Sequence, residues 1–364
     1  MSRVLIMAGG TGGHVFPGLA VARRLLEKRV QVVWLGTRRG LEAHAVPASG
    51  LAIEMEWLNI QGVRRKGWYS WLKFPFTLVY AMVQAFRVLL RRKPDAVLSL
   101  GGFVAGPGGL VAWLTRTPLL IHEQNAIPGM TNRWLAPLAD QVLTGFPNAF
   151  GRHVVARPVG NPVRDEIAAL PPPEERLKGR RGRLRLLVVG GSLGAKIFND
   201  IVPESVCEMP EATRPEVWHQ CGRGNLAPAQ QQYDSRLTIH DSRIRVSEFI
   251  DDMAQAYAWA DLVLCRAGAM TVAEIAASGS AAILVPYLYA VDDHQTANAR
   301  FLSEREAAVL VPTVEFNPAR LRELLTGFAG NRELLLKMAQ TARSLAVTDA
   351  AETVATLCQE AAHA

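Results

Sequence analysis

The hydrophobic residues of the chain fall into short continuous runs, separated by stretches in which apolar positions recur at helical spacing. Residues 4–8 and 31–36, and runs near 96–100, 118–122 and 141–144, read as strands. Runs that are apolar throughout suit strands buried on both faces. Residues 15–28 between the first two read as a helix, and this alternation predicts right-handed βαβ crossovers in a parallel sheet. Around 160–183 the pattern breaks into Gly160-Asn161-Pro162, Pro171-Pro172-Pro173 and Lys178-Gly179-Arg180-Arg181-Gly182-Arg183, the composition of a hinge and linker. A second series follows at 185–189, 219–221, 244–249, 261–264 and 282–285, and the tail from about residue 331 is helical. The expected fold class is α/β: two Rossmann-like, doubly wound parallel-sheet domains facing a cleft. The domains are expected at 1–160 and 161–342, with a last helix at about 343–364 packing back on the first.

Three of the predicted strands run straight into glycine-rich turns. These are Gly9-Gly10-Thr11-Gly12-Gly13-His14, Gly101-Gly102-Phe103-Val104-Ala105-Gly106-Pro107-Gly108-Gly109 and Gly190-Gly191-Ser192-Leu193-Gly194-Ala195. Glycine lets backbone approach a ligand, and the helix that follows aims unpaired N–H groups and a positive dipole at an anion. One such turn is weak evidence, because any tight βα turn favours glycine. Three, shared between both halves, point to two nucleotide-fold domains that handle more than one phosphate group. Ligands of doubly wound sheets bind beyond the carboxyl ends of the strands, so the active site is expected between the domains.

Composition narrows the partners. A 364-residue chain with 49% hydrophobic and 20% charged residues can build two cores. Cys207, Cys221, Cys265 and Cys358 are scattered without metal-type spacing and read as reduced thiols. The first apolar run is too short for a signal-peptide core. Residues 1–160 carry 19 lysines and arginines against 7 acids, a balance of +12, while the rest of the chain stands at −5. A basic first half implies an anionic partner. Nucleic acid is disfavoured, since no helix-turn-helix, RNP or zinc-finger pattern is present. A dinucleotide dehydrogenase fits poorly: the first turn is not G-x-G-x-x-G, and the second strand ends Gly36-Thr37-Arg38-Arg39 with no acid for a ribose diol. Those arginines could take a 2′-phosphate, which keeps an NADP enzyme as an alternative.

An ordered set of motifs decides among these classes. It comprises Gly9 to Pro17, Gly101 to Gly109, His122-Glu123-Gln124-Asn125, Gly160-Asn161-Pro162-Val163-Arg164, Gly190 to Ala195 and Arg266 to Glu274. Together they closely resemble the MurG family, GT-B-fold N-acetylglucosaminyltransferases that make the lipid-linked disaccharide precursor of peptidoglycan. The resemblance runs from the first strand past residue 300. It implies inverting transfer of N-acetylglucosamine from UDP-N-acetylglucosamine to the 4-hydroxyl of undecaprenyl-diphosphoryl-N-acetylmuramoyl-pentapeptide. It further implies a place on the cytoplasmic face of the inner membrane, and partners among cell-wall synthesis and division proteins. Single displacement needs in-line attack, a base for the acceptor hydroxyl and stabilisation of departing UDP. With no Asp-x-Asp motif, no metal and no cofactor are expected; helix N-termini and arginine can neutralise the diphosphate.

Residue by residue, His14 is the candidate base, because a helix N-terminus lowers the pKa of a histidine and keeps it able to accept a proton; local capping or packing is the plain alternative. By the resemblance, Thr11, Gly12, Gly13, Asn125, Arg164, Ser192, Ile250 and Gln295 bind the donor, together with Ala269, Met270, Thr271, Val272, Ala273 and Glu274. Within that set Glu274 takes the ribose hydroxyls, and the backbone of Ile250 reads the uracil edge. Thr271-x-x-Glu274 also matches a capping box, and Ile250 also suits a strand end in the core. Asn125, Arg164 and Gln295 could equally be ordinary turn or surface residues. Gly102, Phe103, Gly106 and Gly108 are the candidates for the acceptor diphosphate. Asp251-Asp252 and Asp292-Asp293-His294 look like metal ligands but suit capping and loop solvation better.

Residues 64–93 supply the remaining signal. Arg64-Arg65-Lys66 precede Trp68, Trp71, Leu72 and Phe76, and the apolar helix that follows ends in Arg91-Arg92-Lys93. Lys73, Pro75 and Gln84 interrupt it too often for a membrane span. Aromatic residues flanked by cations suit peripheral contact with an anionic membrane surface; a buried core helix with a solvated basic rim is the alternative. Two rival functions remain: a UDP-N-acetylglucosamine 2-epimerase of the same fold, and a nucleotide-sugar-binding regulatory subunit without turnover.

Overall fold

The computed structural model describes all residues except Met1, 61–67, His153, Ser192, 238–240 and Ala364, and of 68–74 and Val291 the backbone only. The chain divides into two compact units, residues 1–163 with 347–364, and residues 164–346.

The first unit contains β1 (Arg3–Ala8), α1 (Gly12–Glu27), β2 (Gln31–Gly36), α2 (Glu42–Ala48), β3 (Ile53–Trp57), α3 (Trp68–Arg92) and β4 (Ala96–Gly101). The same unit continues through α4 (Ala105–Leu114), β5 (Leu119–Glu123), α5 (Met130–Leu135), β6 (Gln141–Thr144) and β7 (Arg157–Pro158). Its sheet runs β3-β2-β1-β4-β5-β6-β7, parallel at every pairing. The second unit contains α6 (Asp165–Ala168), α7 (Pro173–Arg176), β8 (Arg185–Val189), α8 (Lys196–Cys207), β9 (Glu216–Gln220), α9 (Leu226–Asp234), β10 (Ile244–Ser247) and α10 (Met253–Trp259). It continues through β11 (Leu262–Cys265), α11 (Ala269–Ser278), β12 (Ala281–Leu284), α12 (His294–Ser303), β13 (Ala308–Leu310), α13 (Pro318–Gly330) and α14 (Arg332–Ser344). Its sheet runs β10-β9-β8-β11-β12-β13, also parallel throughout. The last helix, α15 (Ala350–Ala361), belongs to the first unit. Its Val354, Ala355, Leu357 and Cys358 enter the core built on α1 and β1, and Lys28 meets Glu352 at 2.5 Å.

The strand order explains where the glycine turns lie. In each sheet the order reverses beside the first strand, between β1 and β4 and between β8 and β11. The strands on either side send their connections in opposite directions, which leaves a crevice at their carboxyl ends. The first two glycine turns follow β1 and β4, so both border that crevice in the first unit. The third follows β8, and the 266–268 connection follows β11, so these border the equivalent place in the second. Strands β3, β7 and β13 have no counterpart in the predicted pattern. β7 has two exposed residues and β3 alternates, so neither carries the continuous apolar run of a central strand.

Candidate active site

In the first unit the two glycine turns press on one another. Gly10, Gly101 and Gly102 have φ of 91°, 103° and 87°, which side chains rarely tolerate. A Cβ on Gly102 would also run into the carbonyl oxygen of Gly9. Thr11, extended at φ −119° and ψ 158°, precedes α1, whose Gly12 and Gly13 N–H groups have no partner among the described residues. His14 thus stands in the first helical turn. Its Nδ1 lies 3.3 Å from Gly9 O and 3.5 Å from Thr11 Oγ1. Burial lowers its pKa, opposed by the negative charge of Glu123, the Gly9 carbonyl and Glu42. Phe103 is 52% exposed. Gly106 lies in the first turn of α4, its N–H without a partner among the described residues, and a Cβ there would stand 3.8 Å from Thr131 Cγ2. Gly108 faces the other way. Its N–H bonds Val104 O at 3.2 Å, and a Cβ there would strike Met7 Sδ, so it sets the approach of α4 to β1.

The end of β5 is a buried polar knot. His122 Nε2 donates to Gly160 O at 2.9 Å and its Nδ1 accepts from Gln124 Nε2 at 3.1 Å, so burial leaves it neutral with its pKa lowered. Glu123, 2% exposed, accepts from Asn125 N at 2.8 Å and Asn125 Nδ2 at 3.1 Å through one oxygen. The other oxygen takes Gly129 N at 3.0 Å and Asn132 Nδ2 at 2.9 Å. Asn125 is therefore held by a carboxylate rather than loose in a turn.

Glu42 has no place in the sequence-based reading. It is fully buried beneath the first glycine turn, where its carboxylate accepts from Gly10 N at 3.0 Å, Thr37 N at 2.8 Å and Thr37 Oγ1 at 2.8 Å. Three donors offset the cost of burying the charge. A Cβ on Gly9 would stand 2.8 Å from Glu42 Oε1, one on Gly36 2.6 Å from its Cγ, and one on Gly40 would overlap both oxygens. In a dinucleotide site the acid beyond the second strand faces a ligand's ribose. Here it is used on the turn itself.

In the second unit the third turn is cinched by Gln220, which is 3% exposed. Its Oε1 accepts from Gly191 N at 2.9 Å, and its Nε2 donates to Gly191 O and Glu248 O, both at 2.8 Å. Gly194, at φ 75°, bonds back to Gly191 O at 2.8 Å, and a Cβ there would meet the carbonyl of Cys221. Ser192 lies outside the described residues. Across the crevice, Gly268 caps α11, and the N–H groups of Ala269, Met270 and Thr271 have no partner among the described residues. The capping-box alternative therefore fails, since Thr271 is inside the helix and Gly268 occupies the cap. Glu274 instead accepts from Arg164 Nη2 at 3.2 Å and Tyr257 OH at 3.1 Å. Val272 is buried and faces the core, whereas Ala273 is half-buried. Ile250 is buried at 5% exposure just after β10, not within it, and its own N–H and C=O take no partner among the described residues. Gln295 Oε1 accepts from Tyr287 N at 2.9 Å. Asp252 caps α10 through Gln255 N at 2.8 Å, and Asp293 Oδ1 accepts from Thr296 Oγ1 at 2.7 Å. Among the described residues no three His, Cys, Asp or Glu side chains are grouped to hold a metal ion.

Two parallel-sheet Rossmann-like units, each with its turns at a switch point, have the architecture of the GT-B glycosyltransferases. Residues 4–144 match the glycosyltransferase family 28 N-terminal domain and residues 185–354 its C-terminal domain, so the chain belongs to glycosyltransferase family 28. It is 51% identical over 361 residues to a protein of Marinobacter nauticus and 53% identical over 364 residues to one of Alkalilimnicola ehrlichii. Each alignment covers 99% of this chain, and 98% and 99% of those proteins. Both are named UDP-N-acetylglucosamine–N-acetylmuramyl-(pentapeptide) pyrophosphoryl-undecaprenol N-acetylglucosamine transferase. Among solved structures, MurG of Acinetobacter baumannii superposes with a TM-score of 0.84 at 39% identity, covering 99% of this chain and 100% of that one. A UDP-N-acetylglucosamine 2-epimerase from Neisseria meningitidis gives a TM-score of 0.67 at 13% identity, a likeness of fold alone.

Proposed function

We propose that this chain transfers N-acetylglucosamine from UDP-N-acetylglucosamine to the 4-hydroxyl of undecaprenyl-diphosphoryl-N-acetylmuramoyl-pentapeptide, inverting the anomeric centre. The observation that carries the reading is identity above 50% along 99% of the chain to transferases bearing that name. In this reading the acceptor oxygen attacks the anomeric carbon as the bond to the UDP oxygen breaks. The hydroxyl proton passes to His14 Nε2, and the electron pair leaves with UDP. Most donor contacts are assigned to the second unit: the diphosphate to the third glycine turn and to the amides of Ala269, Met270 and Thr271, which have no partner among the described residues, the ribose to Glu274, and the uracil to the backbone of Ile250. Arg164 orients Glu274, and Asn125 and Gln295 take sugar hydroxyls. In the first unit Thr11, Gly12 and Gly13 are kept as donor contacts, and Gly102, Phe103 and Gly106 are assigned to the acceptor diphosphate, the Gly106 amide of α4 having no partner among the described residues.

Peripheral attachment to an anionic membrane surface is part of the same proposal. Among the described residues no helix is long and apolar enough to cross a membrane. Incubating radiolabelled UDP-N-acetylglucosamine with and without the lipid acceptor tests the reading. Sugar appearing in the lipid fraction only with acceptor supports transfer; acceptor-independent isomerisation of the donor, or binding without turnover, would replace it with the epimerase or the regulatory subunit.

A further inference from the structure

We propose that Glu42 is a positioning residue for the transfer step, acting on His14 through the one peptide group that joins Gly9 to Gly10. Glu42 accepts the N–H of that peptide at 3.0 Å, and the C=O of the same peptide lies 3.3 Å from His14 Nδ1. A carboxylate drawing on the N–H polarises the peptide and makes its carbonyl oxygen a stronger acceptor. That carbonyl then holds the imidazole proton on Nδ1 and leaves Nε2 as the bare lone pair. Nε2 points towards the second glycine turn, standing 3.2 Å from where a Cβ on Gly101 would be.

The peptide has no freedom to turn away. Gly102 closes on the Gly9 oxygen from one side, and Gly9, Gly36 and Gly40 are bare so that the Glu42 carboxylate can fill the other. Thr37 secures the carboxylate with two further bonds, so its place does not depend on the peptide. The arrangement does what an aspartate does for a catalytic histidine, with a peptide group interposed. Among the described residues the other charge acting on His14 is Glu123 at the end of β5. That carboxylate spends its oxygens on Asn125, Gly129 and Asn132, so its effect on His14 is through charge and not through a bond.

The inference rests on His14 being the base, and its test separates the two claims. In protein labelled with 15N-histidine, with the His14 signals assigned by their loss in His14→Gln, neutral His14 should show a protonated Nδ1 and a bare Nε2. Protonation at Nε2 in the unaltered protein overturns the relay outright. Glu42→Gln keeps the shape but loses the charge. It should show a mixed tautomer and a kcat lower by about ten- to a hundredfold, with the donor KM unchanged. Without the negative charge the imidazolium is less favoured, so the acid limb of the kcat profile should move to lower pH. A purely structural role would not move that limb. If Glu42→Gln fails to fold, Glu42→Asp tests the same point: the charge remains but the shorter arm loses Gly10, so the tautomer should become mixed. Wild-type kcat, acid limb and tautomer in Glu42→Gln, alongside an inactive His14→Gln, would refute the relay and leave the base assignment standing. Full turnover in His14→Gln would remove the base assignment, while the tautomer measurement would still decide whether Glu42 orients the ring.

Discussion

Arg164 Nη2 and Glu274 Oε1 meet at 3.2 Å although 110 residues separate them in the chain. The pair draws the start of α6 onto α11, with Tyr257 binding the second carboxylate oxygen. The Arg164 side chain is 41% exposed, so the ion pair itself adds little stability. Its value is orientation: the carboxylate is held on both oxygens yet keeps lone pairs for two ribose hydroxyls.

Glu274→Ala is therefore expected to weaken UDP-N-acetylglucosamine binding while the fold survives. Losing hydrogen bonds to a charged group costs about 1.5–3 kcal/mol, or roughly ten- to a hundredfold in affinity. Gln295→Ala should lose less, because one end of its amide is engaged by Tyr287 N. Calorimetric titration with the donor checks both; unchanged affinity in Glu274→Ala would reduce Glu274 to a structural anchor for Arg164 and Tyr257.

His14→Ala should depress turnover by about a hundredfold or more and leave donor affinity close to wild type, as a general base contributes to the chemical step. Activity should persist in EDTA, because the leaving diphosphate is met by helix N-terminal amides in the proposed site. Near-wild-type turnover in the variant, or complete loss with chelator, would each remove its half of the prediction.

A second histidine should govern acid stability. His219 is fully buried against Tyr233, Nδ1 to OH 2.9 Å, and burial takes its pKa down to about 3. The unfolded chain, with an ordinary pKa near 6.5, binds the proton first, so stability is complete above that value and falls as pH drops below it. Between pH 7 and pH 5 the loss from this residue is about 2 kcal/mol. His122, whose pKa is also lowered by burial, adds in the same direction. Denaturant unfolding at the two pH values should show the loss in the wild type and a smaller one in His219→Gln. Equal losses would mean that other groups control acid unfolding.

The glycine turns were legible because their geometry is written locally: a strand stops, and positions such as Gly10 and Gly102 need conformations that only glycine adopts freely. Glu42 was not, because its meaning depends on Gly9, Gly36 and Gly40, three positions that converge only in the folded chain. Gln220 escaped for the same reason, its partners lying on Gly191 and Glu248. The Thr271-x-x-Glu274 spacing shows the opposite failure. It satisfies a local rule, but Gly268 is the cap and helix α11 has already begun at Ala269, which places both residues inside it.

The membrane prediction turns on α3, whose two faces are both apolar. Ala81, Ala85, Val88 and Leu89 are buried against the sheet. Phe76, Val79, Val83, Phe86 and Leu90, spaced three and four residues apart, are 79%, 60%, 42%, 44% and 57% exposed and form a second stripe. One buried stripe is enough to hold a helix on a sheet, so the outer one is left for another apolar phase. The side chains of Trp68, Trp71 and Leu72 lie outside the described residues, whereas Phe76 heads the exposed row. The nearby cations differ in availability. Arg92 is bound to Glu54 and Glu56 of β3, while Arg87 and Lys93 are exposed. Co-sedimentation with vesicles should thus require anionic lipid and weaken in high salt. A Phe76→Ser, Phe86→Ser double variant should lose most binding while remaining folded, because neither ring is in the core. Arg87→Gln with Lys93→Gln should chiefly flatten the salt dependence. Binding of the double serine variant at wild-type strength would move the membrane contact off α3.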